Sequence, residues 1–142
     1  MTCALRFLAR CALCAIFVRS GIRTLVDPAS QADRAAHSLP DLPEPRLVAR
    51  AQAGVQVASS AALIVDIAPR LAAAALAATL IPVTYVGHPF WTSEDPQQRN
   101  QQITQFLKNL GLFGGLLLVA LPDATRLTRP IRGVPATGGS RA

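Results

Sequence analysis

LAAAALAATLIPVTYVG, residues 71–87, contains no charged side chain. A helix crosses the roughly 30 Å hydrocarbon core of a bilayer with about 20 apolar residues, and as few as about 17 suffice. The run therefore predicts a membrane helix. Pro82 lies near its end, where it removes a backbone N–H and kinks the chain. Upstream, "DIAPR" (residues 66–70) is a quick turn, with Pro69 placed to open the helix. Before that turn, Ala51 to Val65 is again uncharged. Downstream, Phe106 to Leu121 is apolar apart from Lys108 and Asn109.

Composition agrees with this pattern. Residues classed as hydrophobic make up 51% of the 142, and charged ones only 15%. Soluble domains carry about 25% charged residues, so this chain has too few to cover a water-facing surface. Mean hydropathy is +0.33. The fold class expected is all-α, an integral membrane four-helix bundle. Its domain spans 1–125, with helices at about 4–26, 46–68, 70–87 and 96–121. A polar, proline-rich loop fills 28–45, and a disordered basic tail fills 126–142.

The first segment is the least apolar. Arg6, Arg10, Arg19 and Arg23 leave only Cys11 to Val18 free of charge. Arg10 and Arg19 lie about 13 Å apart along a helix, so their heads can snorkel toward opposite interfaces. A signal peptide or an interfacial segment is the rival reading. Arginines follow the apolar run, however, and no A-x-A cleavage site is present.

Helix starts carry their own marks. Asp27-Pro28, Glu44-Pro45 and Asp95-Pro96 each pair a capping residue with a proline suited to the first helical position. The first predicts a short polar helix over 28–38. "LPDLPEP", with Pro40, Pro43 and Pro45, predicts a stiff connector. In the second long helix, Gln52, Gln56, Ser59 and Ser60 fall on one face, which should turn inward because an unpaired amide in hydrocarbon is costly. Gly111 and Gly115 form a G-x-x-x-G pair that permits close helix approach.

Alternating topology puts both termini at one end. Basic residues divide seven against seven between the two ends, so the positive-inside rule does not choose between them. The concentrated arginine tail favours cytoplasmic termini in a cytoplasmic membrane. The net charge of +6 suits anionic headgroups flanking apolar spans. No nucleic-acid motif accompanies it, and no nucleic-acid partner is expected.

The same topology gathers one polar rim from "VGHPFWTSEDPQQRNQQ" (residues 86–102) and its neighbours. Arg19, Arg23, Arg50, Gln52, Gln56, His88, Trp91, Lys108 and Asn109 share this layer. Ionisable groups at membrane depth tend to face the interior or a wet cavity. The expected ligand-contacting residues are His88, Lys108, Asn109, Gln52, Gln56 and Trp91, toward an anion or a quinone-like carbonyl. Each has a plainer role as well. Trp91 suits an interfacial belt, and His88 can cap helix carbonyls. Lys108 can snorkel, and the glutamines can bond between helices. No catalytic residue, metal ligand set or nucleophile triad is expected. Cys11 and Cys14 form a C-x-x-C, but burial in an apolar helix blunts thiol reactivity.

"IPVTYVGHPFW" followed by "EDPQQRNQQITQFLKNLGLFGGLLL" resembles the DoxX family of small four-helix membrane proteins, in its actinobacterial branch. "RAQAGVQV", "PRLAAAALAATLIP" and "AIFVRSGIRTLVDP" extend the likeness over residues 4–28 and 46–121. The resemblance implies a membrane bundle acting as an accessory subunit of a quinone- or sulfur-linked oxidoreductase complex. It further implies quinone as a possible cofactor, and superoxide dismutase and sulfurtransferase-type soluble partners in oxidative-stress defence. A non-enzymatic anchor for soluble redox enzymes is the alternative. Arg19 departs from the small or aromatic residue usual in relatives, and the first loop is short.

Overall fold

A computed structural model describes residues 2–87 and 90–122. Its five helices are α1 (Thr2–Val26), α2 (Ala29–Ser38), α3 (Pro45–Ile64), α4 (Pro69–Gly87) and α5 (Pro96–Ala120), with no strand among the described residues. Of these, α3, α4 and α5 are long and apolar enough to cross a membrane. Although α1 matches α5 in length at 25 residues, its four arginines keep it outside that set. The short helix expected over 28–38 forms as α2. Arg126, Arg129, Arg132 and the rest of the expected tail lie outside the described residues, as does His88.

The long helices pack in series, α1 on α3, α3 on α4 and α4 on α5. Cross-links define antiparallel neighbours. Arg10 near the start of α1 meets Asp66 just past α3, Gln52 early in α3 meets Thr79 late in α4, and Thr84 of α4 meets Asn109 of α5.

The apolar core lies toward one end. Cys14 and Phe17 of α1, Leu63 of α3, Leu76 and Leu80 of α4, and Leu116 of α5 form a single buried cluster. Alanines on α4 let the backbones approach there. Gly21 does the same for α1 and α3: a Cβ at that position would lie 2.7 Å from Val57 Cγ2 and 3.1 Å from the Ala53 carbonyl oxygen. The expected G-x-x-x-G contact is only half made. Gly115 faces Leu13 of α1, whereas a Cβ at Gly111 would meet nothing within 4 Å.

Two helix ends differ from expectation. α3 stops at Ile64, short of the expected residue 68, because Asp66 takes a left-handed conformation (φ 65°). The Ile67 N–H then bonds the Ala62 carbonyl at 2.8 Å, and the Asp66 N–H reaches the Leu63 carbonyl at 3.4 Å. This is a Schellman closure, which usually uses glycine. Aspartate tolerates that region better than most residues, and its carboxylate holds Arg10 at 2.8 Å. At the start of α3, Pro45 occupies the first turn as expected, but Glu44 sits at φ 47° and makes no side-chain cap. Asp95 does cap α5, accepting from the Gln97 and Gln98 N–H groups at 3.3 and 3.0 Å.

Gly21→Ala is expected to destabilise the protein in detergent by about 1–3 kcal/mol through overpacking. Gly54→Ala, where a Cβ meets nothing within 4 Å, should be neutral or stabilising by up to about 1 kcal/mol. Thermal unfolding of both variants checks the pair. Asp66→Gly relieves the left-handed residue but loses the ion pair, so its melting temperature should stay close to the parent's. Asp66→Ala loses the ion pair without that relief and should melt several degrees lower.

Candidate functional site

Two cavities adjoin the packed core, one on each side of α4. Thr79 and Thr84 of α4 are five positions apart, about 140° around the helix, so they face different neighbours. Thr79 is buried against α3. Its hydroxyl donates to the Leu76 carbonyl at 2.8 Å and accepts from Gln56 Nε2 at 3.4 Å. Gln52 Nε2 donates to the Thr79 carbonyl at 3.1 Å. Pro82 lies three residues on. It lacks the N–H owed to Ala78 and its ring crowds the same turn. Amides from α3 thus supply hydrogen bonds where the helix of α4 is weakened.

Thr84 faces α5. Asn109, buried at 5% exposure, donates from Nδ2 to Thr84 Oγ1 at 3.0 Å. Around this pair is an apolar cavity of about 310 Å³ lined by Leu80, Ile81, Tyr85, Trp91, Phe106 and Phe113 among others. Its aromatic side is continuous. Ring centroids lie 5.5 Å apart for Tyr85–Trp91, 5.1 Å for Phe90–Trp91 and 5.4 Å for Phe90–Phe106. The last two contacts are edge-to-face, a favoured arrangement for aromatic pairs. Trp91 and Tyr85 remain about half exposed, leaving ring surface for a planar partner.

Across α4 is a second, more polar cavity of about 410 Å³, enclosed by α1, α2, α3 and α4. Arg23, Arg34, Gln31 and Gln52 line it, with Leu39, Leu42 and Val48 on its apolar wall. A third cleft lies between α2 and the glutamine-rich start of α5.

The expected rim residues therefore divide. Trp91 and Asn109 meet at the aromatic cavity. Gln52 lines the polar one with Arg23, while Gln56 is buried between α3 and α4 as an interhelical bond former. Lys108 is exposed on α5, bonded to Gln105 Oε1, and lines neither cavity. Arg19 and Arg50 are exposed and also outside both. Sequence reasoning missed Thr79, Thr84, Tyr85 and Phe106. The available signal was two threonines in an alanine-rich span, set at a spacing that addresses two neighbours.

The thiols are free, with Cys3 exposed, Cys11 half-buried and Cys14 buried. Ser60 is fully buried in α3, and its hydroxyl has no hydrogen-bond partner of good geometry.

An all-α chain with three apolar helices of bilayer length is a helical membrane protein. The DoxX family model matches residues 5–89, more than half of the chain, and the protein belongs to the DoxX family. The match covers α1 to α4 and the whole polar cavity, whereas α5 and most of the aromatic cavity's far wall lie beyond it. No curated protein and no solved structure matches the chain.

A double-mutant cycle of Thr84→Val with Asn109→Leu should return a coupling energy of about 0.6 kcal/mol, the average for such bonds in membrane helices. Unfolding in mixed micelles measures it. A coupling near zero would mean that the bond does not hold α5 to α4.

Proposed function

We propose that this DoxX protein is an accessory subunit of a redox complex in the cytoplasmic membrane, and that the cavity between α4 and α5 takes a quinone-like ring. The single observation that carries the reading is the cavity itself. It combines an apolar wall, a row of aromatic rings and one buried amide–hydroxyl pair between two membrane-length helices. Ligand sites commonly have this make-up, with a few polar groups orienting a ligand held mostly by apolar contact.

The residues present fit such a group. Trp91, Tyr85 and Phe106 offer faces and edges to a planar ring. Asn109 and Thr84 offer a polar contact to a ring carbonyl. In this reading His88, next in sequence after α4, is a polar contact at the rim, whereas Lys108, exposed and bonded to Gln105, stays outside the cavity. A bound quinone would supply electron-carrying chemistry, and the protein's own groups bind it, orient it and keep water from its apolar face. In the same reading α1 is the fourth crossing of a four-helix bundle. Arg10 is anchored at one end by Asp66, and both termini are cytoplasmic.

A second reading has one observation in its favour. The first turns of α5 carry Gln97, Gln98, Arg99, Asn100 and Gln101, all exposed. Such a polar stem suits an anchor that recruits soluble redox enzymes, with superoxide dismutase and sulfurtransferase-type proteins as the partners proposed. Copurification from native membranes in mild detergent separates the two. Recovery of soluble enzymes without bound quinone favours the anchor.

Trp91 is the single tryptophan of the chain, which makes the ligand test direct. Titrating a short-chain ubiquinone or menaquinone into the purified protein should quench indole fluorescence saturably. Phe106→Leu and the Thr84→Val/Asn109→Leu pair should each weaken apparent affinity about tenfold or less, which is about 1.4 kcal/mol or less. Linear quenching that is identical in parent and variants would end the proposal.

A further inference from the structure

The polar cavity on the other side of α4 plays no part in the reading above, and its lining has a definite chemistry. α2 roofs it. That helix packs on α3 and α4 through a face that buries Ala32, and its start is set by Asp27, whose Oδ1 accepts from the Ala29 N–H at 3.1 Å. α2 is also tied to α1. Thr24 Oγ1, buried at 7% exposure, lies 2.9 Å from Gln31 Oε1. Since Thr24 is the donor, Gln31 Nε2 keeps its own two hydrogens for another acceptor.

The charges do not cancel. Arg23 and Arg34 both line this cavity, and the one carboxylate in the lining is Asp27. Among the described residues neither arginine has an ion-pair partner. Ser20 and Ser30 add hydroxyls. The opposite wall is apolar, built from Leu39 and Leu42 of the connector, Val48 of α3 and Val83 and Val86 of α4. The result is a donor-rich mouth with two guanidiniums, backed by a greasy wall. A volume of about 410 Å³ falls within the roughly 300–1,000 Å³ range of small-molecule sites. Guanidinium forks match phosphate oxygens in pairs, and basic pockets between membrane helices suit phosphate headgroups.

We propose that the α2-roofed cavity binds the phosphate group of an anionic amphiphile, with Arg23 and Arg34 on the phosphate and the Leu39–Leu42–Val83 wall along the start of the chain. Phosphate is the shared chemistry of a membrane lipid and a free anion, and the apolar wall favours the lipid.

Calorimetry on the purified full chain in maltoside micelles tests this with three probes: dihexanoyl phosphatidic acid, dihexanoyl phosphatidylcholine and inorganic phosphate. Phosphatidic acid should bind at least tenfold more tightly than either of the others. Arg23→Gln with Arg34→Gln should weaken it tenfold or more. Arg46→Gln with Arg99→Gln, which removes the same charge from positions outside the cavity, should change it less than threefold. Equal losses in the two double variants would show general surface attraction and overturn the site. Inorganic phosphate binding as tightly as phosphatidic acid would overturn the amphiphile. Because the substituted arginines are exposed, an unchanged melting temperature confirms that a lost signal is not lost folding.

Discussion

Two threonine hydroxyls on α4 connect the bundle. Thr79 accepts from Gln56 of α3, and Thr84 accepts from Asn109 of α5. In an apolar solvent a polar side chain without a partner is costly, so each amide drives its helix toward α4 and fixes its rotation. Apolar packing alone would leave these helices freer to turn, since lipid tails are as apolar as leucine. The contribution of each bond is small, but together they decide which faces of α3 and α5 are inside.

The two ends of the molecule follow different rules. At the core end, small residues and leucines close the four long helices around Cys14, Leu63, Leu76 and Leu116, and the Asp66 turn with its Arg10 contact seals α1 to the α3–α4 corner. At the other end Pro82 weakens α4, and α2 packs against α3 and α4 over the polar cavity. The cavities lie where packing is least complete. α4 separates an aromatic, nearly apolar space from a polar one that carries positive charge. The bundle thus holds two chemically distinct cavities on opposite sides of one helix.

The DoxX assignment covers the helices that build the polar cavity, but leaves α5 to this chain's own residues. The aromatic cavity depends on that last helix. Its capping aspartate and proline set where α5 starts, and the helix then has to run from water into the apolar layer. The wet first turns bring Phe106 and Asn109 to the level of Tyr85 and Thr84.

Much of this was legible before any coordinates. Long uncharged runs define the apolar helices, because every backbone polar group in hydrocarbon needs an internal partner and a helix supplies it. Asp95-Pro96 marks a helix start for the same local reason, a side chain satisfying free N–H groups. The inward face of Gln52, Gln56, Ser59 and Ser60 could be read from spacing, with Gln56 and Ser60 buried and Gln52 and Ser59 half-buried. Tertiary structure alone decided which helix each amide meets, and that α4 would divide one expected rim into two cavities. Gly21 shows why. Its backbone is an ordinary helix, and its importance comes entirely from Val57 and Ala53 on another helix. Local chemistry determines where a helix begins, ends and turns its polar face. Which residues share a site depends on contacts between segments far apart in the chain, and no short stretch of sequence encodes them.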